Sequence, residues 1–334
     1  MSREQLIAMT RREMDNQQNN RIDLMPDVLR VPTADYYDAD RWQREVDGVF
    51  KRVPLALAFS SQITEPGDFL AMEVVGVPLI IVRDDEGETR AFVNQCSHRG
   101  NYVTNEESGN VKSFRCNYHA WNYNLKGDLI NILDEKNFGE VDKSCLGLTA
   151  LPVAERAGMI WVTLNPKSTL DIDLFLNGYG EMLENLRLAE THVAGQQVIE
   201  GPNWKVAYDG YRDFYHLPVL HSTSIGREST PKADYYSWGP HVRVTAPNRF
   251  EELEGVPEAQ WADGLMNSGV WTIFPNISIA GGVTGPYMIS QMFPGKTPGE
   301  STTTQYFAAC ESPDKVDQQG LAAYMSLMVD VVKD

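Results

Sequence analysis

Two cysteine–histidine pairs constrain this chain more than any other feature of its sequence. The first pair is Cys96-x-His98, the second is Cys116-x-x-His119, and seventeen residues separate them. Each pair offers one thiolate and one imidazole, and each lies in a turn that follows a short β-like run. Two such loops can converge on one metal centre, so the pairs predict a small β domain built around a metal site.

The mixed composition of each pair bears on the identity of the metal. A [2Fe–2S] cluster with two Cys on one iron and two His on the other needs this ligand set, and its potential is roughly −150 to +300 mV, against about −400 mV for an all-cysteine plant-type centre. Zinc sites with two Cys and two His usually place a Cys pair before a His pair. The sequence therefore favours a [2Fe–2S] cluster on Cys96, His98, Cys116 and His119, with zinc as the alternative.

A second group of candidate ligands lies about one hundred residues downstream, between Asp213 and His221. Two His and one carboxylate are typical of a non-haem Fe(II) site that leaves positions open for O2 and substrate. On a straight helix His216 and His221 would diverge by about 140°. We expect a helix over residues 204–215 that is broken by Pro218, which would turn His221 back toward the metal. Two ordinary His near a helix end are the alternative for this segment alone.

Together these residues resemble the Rieske non-haem iron ring-hydroxylating oxygenases, and among them the alpha (large, terminal oxygenase) subunit. The resemblance rests on Cys-x-His-x-Gly followed by Cys-x-x-His and Trp121, and on Asn-Trp-Lys at 203–205 followed by Asp-x-x-His-x4-His. Asn117 and Ala120 stand where the family more commonly has Pro and Gly, and neither is a ligand.

The resemblance implies a role for the carboxylate next to the iron site. Asp213 would bridge His216 to a cluster histidine, His119, of a neighbouring subunit instead of binding iron. This role is chemically reasonable because a carboxylate can accept N–H groups from two imidazoles and fix both rings.

The third iron ligand is implied to be an Asp on a helix near the C-terminus. Asp334 fits the expected position best, and Asp330 is the other candidate. Because family members continue past this point, the sequence predicts a chain that is cut inside the ligand-bearing helix, with the true ligand at Asp334 or just beyond it.

The implied activity is insertion of oxygen from O2 into an organic substrate, taken here to be aromatic, by hydroxylation or dihydroxylation. The implied cofactors are a [2Fe–2S] cluster and a mononuclear Fe(II), with electrons from a reductase, directly or through a ferredoxin. Transfer between subunits implies a homotrimer, alone or as α3β3 with small β subunits. The alternatives are a Rieske-type demethylating monooxygenase, a non-catalytic Rieske electron carrier, and a zinc-stabilised binding module.

The pattern along the chain predicts an α+β fold. From Leu55 to about Leu164 short β-like runs alternate with turn signals, whereas strands over residues 233–309 and a closing helix over 322–332 follow helical segments. The predicted parts are an N-terminal arm (1–40), an all-β Rieske domain (41–165) and a catalytic domain of antiparallel sheet with helices, of the START/SRPBCC-like helix-grip type (166–334).

Charge and hydropathy limit the partners and the location. The net charge of −17 repels phosphate backbones, so we expect no nucleic acid partner. The most apolar run, residues 74–82, is too short to span a bilayer, and the N-terminus lacks the apolar core of a signal peptide. The sequence therefore predicts a cytoplasmic protein with no membrane association.

Overall fold

The computed structural model describes residues 2–246, 250–281, 286–310 and 316–333. The chain groups into two compact units. Residues 44–172 form the first, called the β unit below, and residues 1–43 join residues 173–334 in the second, called the mixed unit. The segment predicted as an N-terminal arm thus groups with the mixed unit, and the predicted boundaries at residues 40 and 165 stay predictions.

The β unit consists of short antiparallel strands separated by turns. Its strands are β1 (Leu55–Phe59), β2 (Asp68–Val74), β3 (Val77–Arg83), β4 (Thr89–Val93), β5 (Ser108–Asn110), β6 (Phe114–Arg115), β7 (Asn122–Tyr123), β8 (Leu129–Asn131), β9 (Val153–Arg156) and β10 (Met159–Val162). They form three sheets in the orders β1-β10-β9, β4-β3-β2-β5 and β6-β7-β8. The all-β prediction for this part of the chain is confirmed.

The core of the β unit reaches up to the Cys–His loops. Phe69, Ile80 and Phe92 from the four-stranded sheet pack in one apolar cluster with Cys96 and Cys116. The Cys96 loop follows β4, and the Cys116 loop joins β6 to β7. The loops are therefore anchored on two different sheets, and the shared core holds them in place.

The mixed unit combines helices with one large sheet. Its helices are α1 (Ser2–Gln18), α2 (Ala34–Tyr37), α3 (Ala39–Glu45, which ends just inside the β unit), α4 (Ile172–Leu176, which begins there), α5 (Tyr179–Leu183), α6 (Trp204–Gly210), α7 (Leu217–Leu220), α8 (Asp263–Met266) and α9 (Gln318–Lys333). Its strands are β11 (His192–Gly201), β12 (Asp234–Trp238), β13 (His241–Thr245), β14 (Val270–Ile273), β15 (Ile277–Gly281), β16 (Tyr287–Pro294) and β17 (Ser301–Ala309). No helix of the described ranges is both long and apolar enough to cross a bilayer.

The seven strands lie in one antiparallel sheet in the order β11-β17-β16-β15-β14-β13-β12. Strands β12 to β17 follow one another as an up-and-down meander, and β11 pairs with the last of them. Helix α9 packs on this sheet because Leu321 and Met328 join Met288 and Phe307 in one apolar cluster. An antiparallel sheet with the C-terminal helix packed on it confirms the predicted α+β class.

Helix α1 packs on the mixed unit through a mostly polar stripe. Its buried residues are Leu6, Thr10, Glu13 and Asn16, which recur at helical spacing on one face. The Asn16 amide donates to the carboxylate of Asp234 on β12 at 2.5 Å. Polar pairing, more than apolar burial, therefore attaches this helix to the sheet.

Candidate cluster and iron sites

The two Cys–His loops share one backbone conformation. The amide of Gly100 donates to the Cys96 carbonyl (N···O 2.8 Å), and the amide of Ala120 donates to the Cys116 carbonyl (3.0 Å). Gly100 and Ala120 have φ of 71° and 58°, in the left-handed region. That region costs a residue with a Cβ roughly 1–2 kcal/mol, so the turn favours glycine at this position. Ala120 keeps the turn despite this cost.

The predicted cluster ligands meet at the tips of these loops. The ring centroids of His98 and His119 lie 4.6 Å apart. His98 also stacks on Trp121, with centroids 4.7 Å apart and ring planes within 8°. The thiols of Cys96 and Cys116 belong to residues that are only 4% and 2% exposed. The structure thus brings the two imidazoles together, and the two thiols interact with each other.

Tyr123 completes the surroundings of the first thiol. Its hydroxyl oxygen lies 3.2 Å from Cys96 Sγ and accepts the backbone N–H of Ser97 at 3.1 Å. Burial, together with the Cys96 thiol, raises the pKa of Tyr123 well above its ordinary value, so the phenol stays protonated. Since its oxygen already accepts from Ser97, its proton is available to the cysteine sulfur.

The chemistry of these four residues fits a Rieske-type cluster. His98 Nδ1 is buried and has no hydrogen-bond partner within the described part of the chain, which suits a nitrogen that binds metal. Burial, with the charges of His119 and Arg99, lowers the pKa of His98 and keeps the imidazole neutral, as a ligand must be. Burial also raises the pKa of Cys96 when no metal is bound, with a further increase from Cys116. A metal would relieve this penalty by binding the thiolate form.

The described residues contain no group of three or more His, Cys, Asp or Glu side chains arranged around a single ion position. A [2Fe–2S] cluster of the Rieske type does not require one, because each of its irons takes only two protein ligands. The four loop residues therefore remain proposed ligands of the cluster.

In the mixed unit, two short helices frame the predicted iron ligands. Helix α6 begins at an N-cap, where the Asn203 side chain accepts the amide N–H of Lys205 at 2.9 Å, and it ends at Gly210. Helix α7 starts only at Leu217, with Pro218 in its first turn. The expectation that Pro218 breaks a helix over residues 204–215 is therefore wrong. Proline fits the first turn of a helix because the N–H that it lacks has no partner there.

This arrangement brings the two His together. His216 immediately precedes α7 and His221 immediately follows it, and their ring centroids lie 5.0 Å apart with planes at 76°. His221 is 5% exposed. A single short turn of helix between the two residues replaces the long helix on which they would diverge.

Asp213 lies beside this pair and faces solvent. Its Oδ2 is 3.5 Å from His216 Nδ1, and the side chain is 53% exposed. Its Oδ1 accepts the backbone N–H of Tyr215 at 2.9 Å, which fixes the orientation of the carboxylate. The carboxylate can therefore contact the outer side of His216 and still accept another donor from outside.

Neither candidate for the third iron ligand joins this group among the described residues. Asp330 lies on α9 and is exposed. Asp334 lies outside the described residues, so the prediction for it stays a prediction.

Two functional neighbours were not identified from the sequence. Tyr123 follows Trp121 by two residues and so shares its face of the strand, a signal that could have indicated it. Gly226 packs against residues 213–221, called the iron loop below, since a Cβ at Gly226 would lie 1.9 Å from the Leu217 carbonyl oxygen. No pattern in the sequence points to this contact.

Comparisons with known proteins agree with this geometry. The model of the Rieske [2Fe-2S] domain matches residues 53–146, and that of the ring hydroxylating alpha subunit (catalytic domain) matches residues 188–334. The alpha subunit of benzene 1,2-dioxygenase from Pseudomonas putida is 31% identical over 262 residues, which are 70% of this chain and 58% of that protein. The carnitine monooxygenase oxygenase subunit of Acinetobacter baumannii is 30% identical over 201 residues, 59% of this chain and 54% of that protein.

Among solved structures, the apo form of a quaternary ammonium Rieske monooxygenase superposes with a TM-score of 0.75 at 20% identity, covering 91% of this chain and 82% of the other. The chain spans only about half the length of the curated relatives it matches. Because a Rieske domain and a ring-hydroxylating catalytic domain follow each other in one chain, this protein belongs to the Rieske non-haem iron ring-hydroxylating oxygenases, as a member of their alpha (large) subunits.

Proposed function

We propose that this chain is the terminal oxygenase component of a Rieske non-haem iron oxygenase, which inserts oxygen from O2 into an aromatic substrate by hydroxylation or dihydroxylation. One observation carries the proposal. The chain combines a converged Cys–His loop pair in the β unit with a His–His–carboxylate group in the mixed unit. An electron carrier alone would have no use for the second group.

In this proposal Cys96, Cys116, His98 and His119 hold the [2Fe–2S] cluster, and His216, His221 and Asp334 hold the iron. When bound, the cluster supplies single electrons and the iron supplies the O2 chemistry. The protein contributes position and environment. The buried thiols and the Trp121 stack fix the cluster ligands, while burial of His221 limits the access of water to the iron side.

Asp213 acts in the proposal as a bridge between subunits. It contacts His216 Nδ1 and is exposed on its other side, so it can accept the N–H of His119 from a neighbouring copy. A bridge of this kind holds both rings and stabilises positive charge on either. It requires a head-to-tail ring, and we propose a homotrimer, with or without small β subunits.

The proposed electron donor is a reductase, acting directly or through a ferredoxin. We place the reaction in the cytoplasm, where thiols such as those of Cys96 and Cys116 are kept reduced until they bind iron. The aromatic substrate class is supported by the benzene dioxygenase relative.

Metal analysis and product analysis together test this function. We expect three irons per chain, and incorporation of label from 18O2 into an aromatic substrate when a reductase is supplied. Asp213→Asn should keep the cluster absorbance and abolish turnover, whereas the matched exposed amide change Glu200→Gln on β11 should alter neither. Two irons per chain would instead indicate a non-catalytic electron carrier. Unchanged turnover in the Asp213 variant would contradict the bridging role of this residue.

A second candidate is a demethylating monooxygenase. It is supported by the carnitine monooxygenase relative and by the fold shared with a quaternary ammonium monooxygenase. The same assay separates the two when quaternary amines join the substrate panel: oxidative loss of a methyl group from an amine, with no hydroxylated arene, would favour this candidate.

A further inference from the structure

Between α1 and α2 the mixed unit holds a run of exposed apolar side chains. Residues 22–31, called the apolar strap below, form no helix or strand. Leu24, Met25, Val28 and Leu29 are 79%, 82%, 83% and 84% exposed. A single exposed leucine is ordinary, but several large apolar side chains exposed within ten residues, with Asp23, Asp27 and Arg30 between them, mark an interaction surface.

Both ends of the strap are fixed to the mixed unit. Near the first end, the Asp23 carboxylate pairs with Arg12 and accepts the backbone N–H of Tyr235 at 2.9 Å. Beyond the second end, the Asn203 amide donates to the carbonyl of Tyr36 at 2.8 Å. A segment that is held at both ends loses less conformational entropy on binding than a free tail, so the strap is suited to binding a partner.

The strap begins beside the surface that carries Asp213. The Tyr235 hydroxyl donates to the carbonyl of Arg212, the residue before Asp213, at 3.1 Å. On the same iron loop, Tyr215 and Val219 are 77% and 79% exposed. Apolar exposure therefore continues from the strap to the carboxylate that faces a neighbouring subunit in the proposed function.

We propose that the apolar strap binds a second copy of this chain, lying against the β unit of the neighbouring subunit beside the Asp213 bridge. The inference rests on the proposed function, which brings His119 of one copy to Asp213 of the next. The β unit offers a complementary surface, because Tyr118, Ile130 and Leu133 of the β6–β8 sheet and its loops are 59%, 47% and 54% exposed. Two different surfaces of one chain meet in this way in every head-to-tail contact.

The charge of the protein also favours an apolar contact here. Each copy carries a net charge of −17, so two copies repel each other at long range. Apolar surface must then supply the attraction between them. The same charge disfavours an anionic membrane as the occupant of the strap.

The first test measures assembly of the complete, metal-loaded protein by sedimentation over a dilution series. Leu24→Ser/Leu29→Ser should raise the concentration at which the assembly dissociates by at least about tenfold, since two large apolar side chains leave the contact. The matched control is Leu174→Ser/Val198→Ser, which changes two apolar side chains of the same unit that are 76% and 60% exposed. We expect the control to stay within about twofold of the parent protein. An equal effect of both variants, no effect of the strap variant, or a monomeric parent protein would overturn the proposal.

The second test identifies the occupant of the strap. A photo-reactive residue at Val28 is cross-linked in assemblies mixed from normal and 15N-labelled chains, and the linked peptides are sequenced. We expect mixed-isotope pairs that join Val28 to peptides from residues 117–133. Links within one chain only, or links to any other surface or protein, would refute it.

Neither measurement uses turnover, so the two proposals can fail separately. Mixed-isotope links in a protein with two irons per chain would support the proposed contact of the strap and contradict the proposed oxygenase function. Oxygenation of the substrate without such links would contradict only the proposed contact of the strap.

Discussion

At the scale of single residues, Tyr123 is placed to tune the proposed cluster. Its oxygen lies 3.2 Å from Cys96 Sγ and accepts the N–H of Ser97, so its hydroxyl can donate to a sulfur that has lost its proton to the metal. A hydrogen bond to a cluster sulfur stabilises the reduced, more negative state. We expect Tyr123→Phe to lower the reduction potential by about 40 mV, the equivalent of a ~1 kcal/mol hydrogen bond in a one-electron step. Redox titration followed by visible absorbance checks this, with Tyr102→Phe as the control, and equal potentials for both variants would show that the hydroxyl has no such role.

The buried position of Glu13 predicts that the free energy of unfolding depends on pH. It lies on α1 with Oε1 3.9 Å from Arg243 Nη1, and both side chains are fully buried. Burial, only partly offset by Arg243, raises the pKa of Glu13 to about 7. The unfolded chain releases this proton near pH 4.5 and the folded chain near pH 7, so the free energy of unfolding falls as pH rises through that window and is flat above it. The pKa difference corresponds to on the order of 3 kcal/mol.

Denaturant titrations between pH 5 and 8 check this prediction. Glu13→Gln cannot titrate, so its free energy of unfolding should lose that decline, whatever constant cost the substitution adds. Glu4→Gln, on the exposed face of the same helix, should keep the slope of the parent protein. A parallel pH profile for Glu13→Gln would assign the titration to another group.

The proposed cluster and iron ligands stand out in the sequence because their types are rare and their spacing is specific, and their roles stay predictions. The sequence did not predict α1, and the reason is physical. The buried stripe of α1 contains Thr10, Glu13 and Asn16, so a search for apolar periodicity finds no amphipathic helix there. Buried polar groups of this kind depend on partners more than two hundred residues away, which no local pattern records.

At the scale of elements, the short 3-10 helix Ile225–Glu228 that follows α7 holds the iron loop in shape. Gly226 donates its N–H to the His221 carbonyl at 2.9 Å, and a Cβ at Gly226 would overlap the Leu217 carbonyl. Both carbonyls belong to the backbone, so the contact cannot relax without moving α7. The spacing of the His216 and His221 rings therefore depends on a glycine at this position.

We expect Gly226→Ala to lower mononuclear iron retention at least tenfold while the cluster keeps two irons per chain. The added methyl group would displace the proposed histidine ligands, and a loss of about 1.4 kcal/mol in the free energy of iron binding is a tenfold loss in affinity. Gly210→Ala at the end of α6 is the matched control, since no atom of the described ranges lies within 4 Å of the position that a methyl group would take there. Iron content per chain and visible absorbance are the measurements. Equal iron in both variants would show that α7 tolerates the shift, and loss of the cluster as well would indicate general misfolding.

Prediction of elements succeeded where local rules decide the structure. The short β-like runs predicted between Leu55 and about Leu164 correspond to strands β1 to β10, since turn residues separate them. The helix before Pro218 begins at Trp204 as predicted, but it ends at Gly210, well before Tyr215, because a loop and not the proline follows its end. A proline pattern alone does not tell whether the residue ends one helix or begins the next.

At the scale of the whole molecule, the direction of electron transfer can be tested by mixing inactive chains. His119→Ala removes a proposed cluster ligand, and His221→Ala removes a proposed iron ligand, so neither variant alone should turn over substrate. Random head-to-tail assembly of equal amounts would pair an intact cluster with an intact iron across about one interface in four. We expect roughly a quarter of the parent activity after co-assembly. Transfer within a single chain would instead give no activity in the mixture.

Fold class and the order of the two domains could be predicted at this scale, because both follow from motif order and strand spacing. The return of the N-terminus into the mixed unit could not. It depends on contacts such as Asn16 with Asp234, which join residues 218 positions apart.

That long-range contact governs how the protein is made. At a synthesis rate of about 5–20 residues per second, α1 leaves the ribosome roughly 10 to 40 s before its partner strand β12 exists. The β unit lies wholly within this interval and can fold first. The inner face of α1 carries Thr10, Glu13 and Asn16, so during this interval the helix exposes little apolar surface on which other nascent chains could aggregate. The polar inner face of α1 thus suits a helix that is synthesised long before the strand on which it packs.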